Sequence, residues 1–203
     1  TISDRDWSSD VCSSDLEQVT LTTNGLLLSG LLEELCRAGL DAVNVSLDTL
    51  DGEKYRRITG CPGLSPGEWE GLLAACCGKG LRTKINAVLL RENREEVPAL
   101  AALAEKLPVD VRFIELMPIG FGGREDRVSP DEIPELLRQR WPDLSPTDEK
   151  RGNGPAHYYR SEALLGRIGL IDAVSHKFCE SCNRVRLTST GQLKPCLCFD
   201  STL

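Results

Sequence analysis

The chain has 203 residues, 40% of them hydrophobic and 27% charged, with a net charge of −7 and a pI near 5.0. That length supports one good core plus an appendage, and the acidic balance argues against nucleic acid as the main partner. Nine cysteines would suit a small disulfide-bonded secreted protein, yet the sequence shows no apolar signal segment and no apolar run of the roughly 18 residues a membrane span needs; a reducing cytoplasm fits the thiols better.

Residues 1–16 are rich in Ser and Asp and lack periodicity, and 7–16 resemble translated adapter or cloning sequence. They are expected to be a non-native leader, and Cys12 carries no weight. From Gln18 a pattern begins. An extended run over 18–23, the turn Asn24-Gly25 and a helix over 29–38 stopped by Gly39 form a strand–turn–helix unit. Residues 41–47 predict the next strand. Ser65, Pro66 and Glu68 then give a capping box with Pro at the first helical position, and Gly78 and Gly80 mark that helix's end. A third strand is expected over 82–90, a helix over 95–107, a fourth strand over 110–116, and a helix from the Ser129-Pro130-Asp131-Glu132 signature to about Arg140. Strands alternating with helices at this spacing predict right-handed βαβ units and a parallel sheet, open or rolled into part of a barrel.

Parallel strands covered on both faces should be nearly all apolar. Here one parity is apolar and the other is not. Thr20, Thr22 and Asn24, then Asn44, Ser46 and Asp48, then Lys84 and Asn86 recur on one face, and Glu115 and Met117 end the fourth strand. Such a face suits a barrel interior or mouth that binds something polar. Lys84 in particular needs a partner, since a buried unpaired ammonium is costly. After Trp141 the segment 142–155, rich in Pro, Gly and charged residues, reads as a linker, so 17–141 is set off from a region 142–203 made of that linker and a C-terminal part. Cys76 and Cys77 read as small apolar helix residues.

Near the end, Cys179-x-x-Cys182 is followed by Arg184 and Arg186 and, fourteen positions after Cys182, by Cys196. Such a soft sulfur face suits zinc or an iron–sulfur cluster with one open coordination position. Cys198, or less readily His176, would close that position and give a structural zinc knuckle. The paired guanidiniums suit a phosphate or carboxylate. Between His157 and Cys196, six Lys and Arg face three Asp and Glu, so an acidic chain has a basic tail that calls for a small anionic ligand.

Leu21-Thr22-Thr23-Asn24-Gly25, Val43-Asn44-Val45-Ser46-Leu47-Asp48, Lys84-Ile85-Asn86, Arg112-Phe113-Ile114-Glu115-Leu116-Met117-Pro118, Gly154-Pro155-Ala156-His157-Tyr158-Tyr159 and the terminal Cys–Arg block occur in that order. Together they resemble the radical-SAM GTP 3′,8-cyclase family of molybdenum cofactor biosynthesis. The resemblance implies a partial (β/α)6 TIM-like barrel, with about four of six βα units present and a C-terminal cluster-binding extension. It implies a [4Fe–4S] cluster held by Cys179, Cys182 and Cys196, with an open iron facing the guanine base. Thr22, Lys84, Arg184 and Arg186 would contact GTP, and Ser46 and Met117 would face S-adenosylmethionine. It further implies a second [4Fe–4S] cluster for S-adenosylmethionine cleavage, action upstream of cyclic pyranopterin monophosphate synthase, and room for a homodimer, with no nucleic-acid or membrane partner.

The sequence departs from the family pattern in several ways, the absence of the Gly-rich segment for the S-adenosylmethionine amino group among them. The Cys-x-x-x-Cys-x-x-Cys ligand set of the radical-generating cluster is absent, so the chain is expected to be an internal fragment that does not start radical chemistry alone. Cys198 stands where the family pattern has Phe. Two other readings stay open: a peptide-modifying radical-SAM enzyme, which has no need of the Arg pair, and a zinc-binding domain that uses Cys198.

Overall fold

A computed structural model describes residues 16–119 and 126–197. Of residues 1–16, expected to be a leader, only Leu16 is among the described residues, and Cys198 lies outside them. The elements alternate as the pattern predicts: β1 (Thr20–Thr23), α1 (Leu28–Arg37), β2 (Ala42–Ser46), α2 (Gly52–Thr59), α3 (Pro66–Gly78), β3 (Arg82–Leu89), α4 (Val97–Ala101), α5 (Leu103–Lys106) and β4 (Asp110–Glu115). Next come α6 (Ile133–Arg138), β5 (Ser145–Thr147), β6 (His157–Arg160), β7 (Ile168–Ile171) and a small hairpin of β8 (Arg186–Leu187) and β9 (Leu193–Lys194). Seven strands make one sheet in the order β1-β2-β3-β4-β7-β6-β5, parallel from β1 through β7 and antiparallel from β7 to β5. The fold is mixed α/β around a mostly parallel sheet.

The capping box is where the sequence puts it. Ser65 Oγ accepts from the Glu68 amide at 3.4 Å while Glu68 Oε2 accepts from the Ser65 amide at 2.8 Å, so two end donors are satisfied reciprocally. Helix α2 carries no comparable apolar signal, because only Tyr55 is buried in it. Its start is set by Asp51, whose carboxylate accepts from the Glu53 and Lys54 amides at 2.9 and 2.8 Å. The helix expected over 95–107 is instead a 3₁₀ turn, Arg91–Glu96, followed by α4 and α5. Asn93 bends that turn: its amide nitrogen donates to the Asp48 and Val88 carbonyls at 2.7 and 2.8 Å, and its oxygen accepts from the Leu90 amide at 2.9 Å. The helix expected from Ser129 likewise opens with a 3₁₀ turn, Pro130–Glu132, and is α-helical only over α6.

The apolar parity lies under the helices. Val43, Val45, Ile85, Ala87, Val111, Phe113 and Ile168 are essentially fully buried there, packed with Leu73, Leu100 and Trp69. The register Thr22↔Asn44↔Lys84↔Asp110 puts the polar parity of four strands in one row. Glu115 departs from expectation. It shares the covered parity with Val111 and Phe113, and its carboxylate is enclosed by Arg127 Nη2 at 2.7 Å, the Val174 and Ser175 amides at 2.8 Å each, and the Ser175 hydroxyl at 2.6 Å. The sequence misplaces it because a carboxylate on a strand reads as facing solvent or ligand.

Burial alone would raise the Glu115 pKa, but the hydrogen bonds from Ser175, Val174 and Arg127 outweigh it and hold the carboxyl below the usual glutamate range. A depressed carboxylate stabilises the fold fully above its unfolded pKa, and that contribution is lost as pH falls through the folded value. Glu115→Gln is expected to cost about 3 kcal/mol at neutral pH, since Arg127 loses its charged partner. In urea titrations at pH 7 and in acid, the gap between variant and parent should narrow as pH falls.

Strands β5, β6 and β7 continue the same sheet past β4, so the change in composition after Trp141 marks no break in it. Pro146 is tolerated because β5 is the edge strand, where a missing ladder donor costs little.

Candidate functional site

The polar face of the sheet carries one connected network. Arg112, only 8% exposed, donates Nε to Asn86 Oδ1 and Nη2 to Asn44 Oδ1, both at 2.8 Å, and Asn44 Nδ2 in turn donates to Thr22 Oγ1 at 3.2 Å. One guanidinium thus joins β4 to β3, β2 and β1. Gly169 on β7 makes room for it: a Cβ there would sit 2.9 Å from Arg112 Cγ and 3.0 Å from the Tyr158 ring.

Lys84 lies beside this network. Its ammonium donates to the Arg151 carbonyl and, at 3.2 Å, to the Tyr158 hydroxyl, rests 5.6 Å from the centre of the Tyr158 ring, and is 3.7 Å from Asp110 Oδ2. Burial first, and then the neighbouring Arg112, bring its pKa down to about 8, against the opposing pull of Asp110. Arg151 from the following loop grips Asp110 with Nε at 3.3 Å and Nη2 at 2.8 Å. Arg184 completes the rim, its guanidinium 5.9 Å from the centre of the Phe178 ring.

These groups enclose a cavity of about 420 Å³ lined by Arg82, Lys84, Arg112, Arg151 and Arg184 together with Asn44, Asn153, Asn183 and the glycines of the 152–154 loop. Among the described residues no carboxylate lines it. Five cations converging in a chain of net charge −7 form a field suited to a polyanion.

The site residues read from the sequence separate into three groups. Lys84 and Arg184 line the cavity, and Thr22 borders it through Asn44. Arg186 does not line it but pairs with Lys194 in the β8–β9 hairpin, because the expected strand through both arginines starts only at Arg186. Ser46 ends β2 and Met117 lies two residues past β4, both half-buried at the carboxyl end of the sheet, whereas Lys84 and Asp110 sit near the amino ends of their strands.

Cys179 and Cys182 are exposed and Cys196 is half-buried. A 3₁₀ turn, Cys179–Ser181, links the first two, and the hairpin register Arg186↔Lys194 brings the approach to β8 and the exit from β9 to the same end. Three soft sulfur donors have the chemistry a cluster takes, but the described geometry does not bring them together: among the described residues, no three His, Cys, Asp or Glu side chains are close enough to hold a metal ion. His176 is turned toward Asp172 at 3.5 Å and Asp131 at 3.9 Å.

Sequence reasoning assigned no role to Arg112, Asp110, Arg151 or Tyr158. The alternation of Asp110 and Arg112 on one parity of β4 is the signal that could have found two of them.

Two family models match the chain: Radical SAM superfamily over residues 5–104 and Molybdenum Cofactor Synthesis C over residues 109–203. A GTP 3′,8-cyclase of Clostridium perfringens (strain SM101 / Type A) is 42% identical over 184 residues, which is 90% of this chain and 56% of that protein. A GTP 3′,8-cyclase of Pelotomaculum thermopropionicum is 42% identical over 188 residues, 90% of this chain and 57% of that protein. The molybdenum cofactor biosynthesis protein 1 of Drosophila melanogaster is 40% identical over 194 residues, 90% of this chain and 32% of that protein. The chain therefore spans little more than half the length of the bacterial relatives it matches. No helix among the described residues is long and apolar enough to cross a membrane.

Proposed function

We propose that the chain belongs to the radical SAM superfamily, in the branch that carries the molybdenum cofactor synthesis C region, and that it serves the GTP 3′,8-cyclase reaction without starting the radical chemistry alone. The reaction converts GTP to (8S)-3′,8-cyclo-7,8-dihydroguanosine 5′-triphosphate, the first step of molybdopterin synthesis. The observation that carries the reading is the cavity of five cations, which matches a nucleoside triphosphate in charge and in size.

In this reading Lys84, Arg112 and Arg184 hold the triphosphate, Arg186 approaches from the hairpin, and Thr22 reaches the ligand's edge beside Asn44. Cys179, Cys182 and Cys196 would hold a [4Fe–4S] cluster. Ser46 and Met117, at the opposite end of the strands, would face S-adenosylmethionine. When bound at Cys179, Cys182 and Cys196, a [4Fe–4S] cluster would supply an open iron for the guanine base; the 5′-deoxyadenosyl radical chemistry needs a second cluster whose Cys-x-x-x-Cys-x-x-Cys ligand set this sequence does not contain. The protein's own work is electrostatic and positional: it neutralises the phosphates and fixes the ribose along the line between the two ends of the sheet. The four βα units form part of a (β/α)6 barrel, with 17–141 as scaffold and 142–203 as the region for cluster and GTP. In this reading the protein acts in the cytoplasm upstream of cyclic pyranopterin monophosphate synthase, with room for a homodimer. The Molybdenum Cofactor Synthesis C match favours this reading over a peptide-modifying enzyme or a zinc knuckle.

The test is GTP binding as a function of pH. With Lys84 titrating at about 8, the ammonium is full below that value and is lost above it, so GTP affinity should fall about tenfold between roughly pH 7.5 and 9.5. Lys84→Met should bind weakly and lack that fall. Equal affinity for GTP and guanosine in the parent chain would overturn the reading.

A further inference from the structure

One residue ties down the loop over the cavity from both of its ends. The Arg151 guanidinium grips Asp110 through two hydrogen bonds, at 3.3 and 2.8 Å, while the Arg151 carbonyl accepts from Lys84. Asp110 is only 3% exposed, so its charge is compensated inside the protein or not at all. The chain then runs directly against the two cationic groups that flank it. A Cβ on Gly152, at φ +119°, would sit 3.4 Å from Lys84 Nζ, and a Cβ on Gly154 would sit 3.4 Å from Arg184 Nη2.

We propose that residues 151–154 form a strap, with Asp110 and Arg151 as positioning residues that set where Lys84 and Arg184 stand for a polyphosphate. Resting on the triphosphate reading above, the proposal adds a division of labour to it. The Asp110 carboxylate and the Lys84 ammonium form a long ion pair, 3.7 Å apart, which would tighten and draw Lys84 out of the cavity if Asp110 had no other partner. Arg151 holds it loose by bonding both carboxylate oxygens, and its carbonyl holds Lys84 toward the strap. The charge Lys84 presents therefore depends on Arg82 on its own strand, Asp110 and Arg112 on β4, Tyr158 on β6, Arg151 on the strap and Arg184 across the cavity. A ligand that reaches both Lys84 and Arg184 needs their spacing; one that reaches a single cation does not.

Two variants move the system in opposite directions. Arg151→Met leaves Asp110 to Lys84, so the pH limb of GTP binding should shift upward; Asp110→Asn removes the attracting carboxylate, so the limb should shift downward. Both should weaken GTP binding at pH 7 by about tenfold and GMP binding by much less. Arg151 is only partly buried, at 35% side-chain exposure, so its variant tests the idea even where Asp110→Asn fails to fold. Hydrogen exchange supplies a readout that needs no ligand: amides 152–154 should exchange faster in Arg151→Met than in the parent. If the parent binds GTP and Arg151→Met keeps its affinity, its pH limb and its slow exchange, the strap is refuted while the triphosphate reading stands. If the parent does not bind GTP, that reading fails and the exchange rates alone decide the strap: faster exchange supports it, unchanged exchange refutes it.

Discussion

Gly166→Ala is expected to lower the urea midpoint at neutral pH more than any other glycine-to-alanine change among the described residues. An ideal Cβ at Gly166 would lie 2.5 Å from the Val109 carbonyl carbon and closer still to its oxygen. The obstacle is backbone, so no side-chain rotation relieves it. The site is also where β7 is set beside β4: the Val111 amide donates to the Arg167 carbonyl at 2.9 Å, and the Leu165 and Gly166 amides donate to the Ala104 carbonyl at 2.8 and 3.3 Å. Moving residue 166 outward loosens all three bonds and the register Val111↔Ile168. A cost above about 3 kcal/mol follows, against a total stability of roughly 5–15 kcal/mol for a domain. Gly71→Ala on the exposed side of α3, where nothing lies within 4 Å, is the control and should stabilise by about 0.8 kcal/mol. Urea titrations of the two variants check both signs. A Gly166→Ala midpoint within error of the parent would show that β7 can shift without cost.

Arg112→Met is expected to weaken GTP binding about 10- to 100-fold, from the roughly 1.5–3 kcal/mol of a charge-assisted hydrogen bond. The same change should leave folding stability unchanged or raise it. The two effects have opposite causes. Without ligand, a guanidinium at 8% exposure stands among Lys84, Arg151 and Arg184 and bonds the neutral side chains of Asn44, Asn86 and Tyr158, with Asp110 the nearby opposing charge, so the fold bears its desolvation and most of the mutual repulsion. With a triphosphate bound, that same charge is fully used. Arg112→Lys should not restore affinity, because a single ammonium cannot span Asn86 and Asn44 while facing the cavity. Calorimetric GTP binding beside urea unfolding checks the pair of signs. Unchanged affinity together with a large loss of stability would make Arg112 a structural tie across the sheet and nothing more.

The strap and the cavity show how far the sequence carried. Its local patterns hold in the structure: the Ser65–Glu68 capping box, the helix after Asn24-Gly25, and the two parities of β2 and β3. Lys84 stood out because an ammonium on a strand between buried positions requires a partner. The patterns failed where the decisive neighbour lies far along the chain. Asp110 and Arg151 meet across 41 positions, and no spacing rule links them. Glu115 looked like the end of a polar face until Val174 and Ser175 folded onto it.

What the sequence determined by itself was the order and kind of elements and the apolar face each strand buries. Those features are periodic or contiguous, so they survive in one dimension. Only the tertiary structure decided that β7 lies parallel beside β4, that the Pro-rich stretch supplies an edge strand, and that Arg184 joins Lys84 while Arg186 does not. It also put Arg112 at the centre of the cationic cavity. Each of these depends on strand order and close backbone approach, which are settled by global packing and leave no local trace in the residues concerned.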